Sequence, residues 1–289
     1  MDRRDLLKGM LAGIATFGLQ PAMLLAAGND ANARLAALER QYGGRLGVAI
    51  LDTGTGRRAA YRADERFLLC STFKMLLAAA VLESVDRGTE RLDRRLQFGQ
   101  DAVLEYAPVT SLHVGAPGMR IAELCSAAIT LSDNTAANVL LKQLGGPQAI
   151  TQLARRLGDP ITRLDRYETA LNQPSPDGLS DTTTPDAMLG NLQKLLLGSA
   201  LSAPSRQQLT DWMLGTVTGK KLLRAGAPAD WRIGEKTGSS NRQTNDVAIL
   251  WPPARKPLLA AVYYENAGKD SDGRAAVLAS VGRILATMS

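Results

Sequence analysis

What most narrows the fold is where strand-like and helix-like patterns fall along the chain. Arg45–Asp52 reads as a strand, Thr53–Gly56 as a turn and Arg57–Arg62 as a return strand. The next strand patterns come only after Thr218, at Trp231–Thr237, Asn245–Pro252 and Leu258–Tyr264. Between the two groups the apolar spacing is helical, at Ala122–Leu131, Thr135–Leu144, Pro147–Leu157, Pro185–Leu197 and Ser205–Leu214. Helical stretches at Ala33–Tyr42 and Asp272–Met288 bracket the strands. This order predicts an α/β (α+β) fold: one antiparallel sheet flanked by terminal helices, with an all-helical domain inserted. The expected sheet domain is 34–69 with 217–289. The expected all-α domain is 70–216, it includes a long loop at 160–181, and the two domains share one crevice.

The stretch Phe67-Leu68-Leu69-Cys70-Ser71-Thr72-Phe73-Lys74 enters a run of good helix formers that nothing breaks before Gly88. Ser71 therefore stands at or beside a helix start, with Lys74 one turn on and on the same face. A serine hydroxyl needs a base, and a lysine with a depressed pKa supplies one. The unpaired N–H groups of a helix start favour developing negative charge. By itself such a serine–lysine spacing also fits an ordinary surface helix.

Composition excludes several other chemistries. The 289 residues are 45% hydrophobic and 21% charged, with net charge +6 and a single histidine, His113. Clustered His/Cys metal sites and a Ser-His-Asp triad independent of His113 are thereby set aside, and neither metal nor cofactor is expected. No basic run interleaved with aromatics is present, so nucleic acid is not an expected partner. Arg3-Arg4 ahead of an apolar stretch from Met10 to Ala27 resembles a twin-arginine export signal, assigned to 1–33. Cleavage falls near Ala27 or after Ala33. The reading implies the twin-arginine machinery as a partner and a periplasmic, monomeric product. Cys70 and Cys125 are expected as free, buried thiols.

Three further groups carry possible chemistry. Ser132-Asp133-Asn134 separates two helices, where it reads either as an N-cap or as a hydroxyl and an amide facing a cleft. Lys236-Thr237-Gly238 ends a strand, which suits a carboxylate ligand and close backbone approach. Within the long loop, Glu168 and Asn172 can hold a water between them, and Arg166 can tie the loop by pairing with Asp181.

Taken in order, Ser71–Lys74, Ser132–Asn134, Glu168–Asn172 and Lys236–Gly238 resemble the class A serine β-lactamases. The resemblance runs from about Leu46 to the C-terminal helix and takes in Leu124–Thr130 and Ser205–Leu209. It implies hydrolysis of penicillins and cephalosporins through a serine acyl-enzyme, conferring resistance. By it, Ser71 is the nucleophile, and either Lys74 or Glu168 through a water is the acylation base. Ser132 passes a proton to the lactam nitrogen. The backbone N–H groups of Ser71 and Ser239 form the oxyanion hole. Asn134 holds the acylamide side chain, Lys236 and Thr237 bind the carboxylate beside Gly238, and Glu168 with Asn172 activates the deacylating water. Tyr106 falls at the rim.

This chain departs from the family pattern at three places. Thr169 stands where many members have proline after a cis peptide. Ser240 stands where some carbapenem-hydrolysing members pair a cysteine with the one before the nucleophile, so carbapenemase activity is not expected. The extra arginine of many members has Arg274 as its candidate and Arg224 as a poorer one. The alternatives are a penicillin-binding peptidase or a β-lactam sensor that stays acylated. Glu168 and Asn172 argue against the first, and the lack of a visible signalling domain argues against the second.

Overall fold

The computed structural model describes residues 21–288. The arginine pair and the first part of the apolar stretch read as an export signal lie outside them. Chain order runs α1 (Pro21–Tyr42), β1 (Arg45–Asp52), β2 (Arg58–Tyr61), β3 (Phe67–Leu68), α2 (Phe73–Asp86), β4 (Arg95–Leu96), β5 (Met119–Arg120) and α3 (Ile121–Thr130). It continues with α4 (Asn134–Gln143), α5 (Gln148–Arg156), β6 (Thr182–Thr183), α6 (Pro185–Leu196), α7 (Ala203–Leu214) and α8 (Leu223–Gly226). The chain closes with β7 (Arg232–Ser239), β8 (Gln243–Trp251), β9 (Leu258–Glu265) and α9 (Ser271–Ala286).

Five strands form one antiparallel sheet in the order β2-β1-β9-β8-β7, so the N-terminal hairpin joins the C-terminal strands through β1 and β9, with Val48 opposite Val262. Both faces are covered, which is why the strands read as continuous apolar runs rather than alternating ones. Ala49, Val247, Ile249, Leu259, Ala261 and Tyr263 face the helical domain. Their neighbours Val48, Ile50, Ala248, Leu250, Ala260 and Val262 face a second core with Leu35 of α1 and Val277, Leu278 and Val281 of α9.

The terminal helices differ from the sequence reading at their starts. α1 begins at Pro21, and the reading began it at Ala33. Ala31 is buried and Asn32 accepts the Ala60 N–H at 2.9 Å, so both belong to the packed sheet domain. The hairpin before β8 is also tighter than expected, because β7 runs through Ser239 and β8 starts at Gln243.

Helix α2 runs through the helical domain. Every residue from Phe73 to Leu82 is buried, the pattern of a helix surrounded on all sides. Burying the Lys74 ammonium costs several kcal/mol. The apolar side chains of α2, at roughly 1.5–3 kcal/mol for each large one, offset it.

Candidate active site

Ser71 sits in a single 3-10 turn, Cys70–Thr72, that leads into α2. Cys70 enters that turn with φ +44°, a left-handed conformation costly for a residue with a side chain. The turn is held from the sheet, where Asn245 of β8 donates from Nδ2 to the Leu68 carbonyl at 2.9 Å. Ser71 Oγ donates to Glu168 Oε1 at 3.2 Å, and Lys74 Nζ lies 3.0 Å from the same oxygen. The Lys74 and Glu168 side chains are both fully buried. Burial pushes the Lys74 ammonium below its ordinary pKa, and the adjacent Glu168 charge opposes that shift without cancelling it.

Both readings of Ser132-Asp133-Asn134 hold at once, on different side chains. Asp133 is the N-cap of α4, accepting the Ala136 N–H at 2.8 Å, and it also accepts the Val109 and Thr110 N–H groups. Ser132 stands at φ +60° and turns toward the cleft. Its Oγ lies between two lysines, 3.4 Å from Lys74 Nζ and 3.1 Å from Lys236 Nζ. Asn134 Oδ1 accepts from Lys74 Nζ at 2.6 Å. Lys236 is fully buried, and burial first, then the Lys74 charge, push it well below its ordinary pKa.

The loop over the site is tied as the sequence suggested. Arg166 Nε meets the buried Asp181 carboxylate at 2.5 Å, and Asp181 Oδ1 also accepts the Asp165 and Arg166 N–H groups. Asn172 Nδ2 donates to Glu168 Oε2 at 2.8 Å. The Glu168–Thr169 peptide is cis. The sequence reading did not include Asn138, which hydrogen-bonds the Glu168 backbone on both sides. A signal was available, since Asn138 lies four residues after Asn134 and so on the same helix face.

Gly238 brings β7 against the nucleophile. A Cβ there would lie 3.1 Å from Leu69 O and 3.2 Å from Ser71 N. Ser71, Ser132, Asn134, Asn172, Thr237 and Ser239 line one cleft of 590 Å³, with half-exposed Tyr106 at its rim. The two nominated arginines lie elsewhere. Arg274 is buried and donates to Thr244 Oγ1, Ser240 O and Asn241 O, bracing the β7–β8 turn. Arg224 is paired with Glu235 at 2.8 Å. Cys70 and Cys125 are free and buried, as expected.

The family model described as the β-lactamase enzyme family matches residues 30–288. The carbapenem-hydrolysing β-lactamase KPC of Klebsiella oxytoca is 45% identical over 251 residues, covering 86% of this chain and 85% of that protein. β-Lactamase CTX-M-8 of Citrobacter amalonaticus is 44% identical over 268 residues, 92% of each chain. Among solved structures, an ancestral (GNCA) class A β-lactamase matches with TM-score 0.87 at 57% identity, over 90% of this chain and all (100%) of that one. The chain belongs to the β-lactamase family and is a class A serine enzyme that hydrolyses β-lactams.

Proposed function

We propose that Ser71 opens the lactam ring with Glu168 as the base of both half-reactions. The observation that carries this is the position of one carboxylate: Glu168 accepts from Ser71 Oγ at 3.2 Å and is held by Lys74 and Asn172. Lys74 Nζ has no such contact to spare, because it is engaged by Glu168, Asn134 and the Ser132 carbonyl. Its role is to fix Glu168, to lend positive charge to the site and to carry a proton from Glu168 to Ser132.

In acylation the Ser71 proton passes to Glu168 and Oγ adds to the lactam carbonyl. The Ser71 and Ser239 N–H groups hold the oxyanion, a pair whose individual donors are each worth about 10²–10³ in rate. The ring C–N bond breaks as the Ser132 hydroxyl passes its proton to nitrogen and takes a replacement from Lys74, 3.4 Å away, while Lys236 at 3.1 Å steadies the hydroxyl oxygen. Lys236 and Thr237 receive the substrate carboxylate, Asn134 the acylamide side chain, and Tyr106 closes the rim. Glu168 first passes the Ser71 proton to Lys74, 3.0 Å away and left neutral after reprotonating Ser132. Again a carboxylate and steadied by Asn172, it takes a proton from water as the hydroxide adds to the acyl carbonyl, and it gives that proton to Ser71 Oγ as the ester bond breaks. Carbapenem turnover is not proposed, although one relative is named for it, because Cys70 has no cysteine partner. Export through the twin-arginine machinery to the periplasm, and action there as a monomer, complete the reading.

Mass spectrometry of Glu168→Ala mixed with a penicillin tests it. A long-lived adduct on Ser71 that accumulates even slowly is the expected result. A folded variant that turns over like the parent would overturn the role of Glu168. Ser71→Ala should show neither adduct nor turnover.

A further inference from the structure

The roles above leave two lysines on one wall of the cleft unused. Thr218, Lys220, Lys221 and Leu222, between α7 and α8, line the same cavity as Ser132 and Thr237, with Asp272 of α9 facing them. This segment is fixed against β7 at two points. Thr218 Oγ1 and Thr237 Oγ1 share a hydrogen bond of 2.6 Å. Gly219 presses on the Glu235 carboxylate so closely that a Cβ would lie 2.2 Å from Oε1. The backbone that carries Lys220 is therefore anchored beside the strand that holds Thr237.

Charges on this wall are unequal. Lys221 Nζ is paired with Asp272 Oδ1 at 2.8 Å. Lys220 is exposed and has no carboxylate within ion-pair distance among the described residues. Other cations near the site are committed: Arg224 to Glu235, Arg274 to the β7–β8 turn, and Lys236 to Ser132 Oγ and the Thr237 carbonyl. β-Lactam antibiotics of the penicillin and cephalosporin type carry a carboxylate on the fused ring, and among the described residues an anion entering beside Thr237 meets Lys220 as the cation of this wall that no carboxylate engages.

We propose that Lys220 is the outer cation that selects the substrate carboxylate, and that Asp272 weakens this selection by holding Lys221 away. The proposal rests on the reading that Lys236 and Thr237 receive that carboxylate. Lys220 acts on binding and not on the bond-breaking steps, so its effect falls on KM.

The test measures kcat and KM for a penicillin and for its carboxylate methyl ester, across a range of salt. Lys220→Gln is expected to raise KM for the acid about fivefold, the size of a partly screened charge pair, with kcat and the ester unchanged. Its salt dependence should flatten. Lys220→Arg should restore the parent values, and Asp272→Asn should lower KM for the acid about twofold. An unchanged KM in Lys220→Gln, or equal changes for acid and ester, overturns the role of Lys220 while leaving the Lys236–Thr237 reading intact. A parent enzyme that does not distinguish acid from ester overturns both.

Discussion

Asn138 grips Glu168 from both sides of its backbone. The carboxamide donates from Nδ2 to the Glu168 carbonyl at 2.9 Å and accepts the Glu168 N–H on Oδ1 at 2.9 Å. A helix of the all-α domain thus sets where the loop carboxylate stands, and the carboxylate in turn meets Ser71 and Lys74.

Asn138→Ala should lose both bonds and leave two backbone groups unpaired in a covered place, at a cost of about 1–3 kcal/mol for each unsatisfied group. Deacylation should slow more than acylation. Thermal unfolding and the fraction of acylated enzyme at steady state check the two parts. A variant destabilised but never acylated at steady state would contradict the positioning role.

Arg166→Ala should loosen the same loop from its other end. Asp181 has a fully buried side chain and keeps its two N–H donors, so the expected loss is about 1–2 kcal/mol rather than that of an orphaned charge. Limited proteolysis should cut within 160–181 faster than in the parent.

Gly238→Ala should push β7 off the nucleophile turn, since the new Cβ meets Cys70, Leu69 and Ser71 backbone or Cβ atoms at 3.1–3.2 Å. A displacement of the oxyanion donors by well under an ångström is enough to lower kcat/KM about 10- to 100-fold. Little change in kcat/KM would show that β7 can retreat freely.

Glu235 and Asp246 lie buried against each other, balanced in part by Arg224, which pairs with Glu235, and by the nearby Lys236 charge. Burial, then the Glu235 charge, push Asp246 well above its ordinary 3.8, and burial raises Glu235 as well. A carboxyl with a raised folded pKa contributes stability below about pH 4 that is lost as pH climbs through the raised value. Asp246→Asn supplies a permanent hydrogen in place of the titrating one and keeps an acceptor for the Leu223 N–H. Its melting temperature should therefore fall less with rising pH than the parent's, from about pH 4 upward. Parallel curves would refute a raised pKa at Asp246.

The mature N-terminus should precede Ala31. Ala31 is 3% exposed, and Asn32 satisfies the Ala60 N–H of strand β2. Cleavage after Ala33 removes both, whereas cleavage near Ala27 keeps them. Intact mass of the exported protein distinguishes the two sites.

Much of this was legible along the chain because it is local. Ser71 and Lys74 share a face because a helix turns once in 3.6 residues, and the Asp133 cap follows from its place before α4. Sheet strands were legible as apolar runs bounded by turns. The pairing of Arg166 with Asp181 was legible because both lie in one loop. The seat of Arg274 was not, because which way a residue of α9 points depends on how that helix lies on the sheet. Arg274 turns inward to the β7–β8 turn, and the exposed cations of the cleft come from the segment before α8.

Sequence alone determined the residue types of the site, their order and the fold class, since each rests on short-range periodicity or on a motif. Tertiary structure decided which of them touch. Ser71 and Glu168 are 97 positions apart and Ser132 and Lys236 are 104, and the two pairs meet at 3.2 and 3.1 Å only because α2 and α4 hold the loop carboxylate while β7 packs beside the nucleophile turn. Distances of that kind depend on the sum of many side-chain volumes in two cores, a quantity that no single stretch of the chain contains.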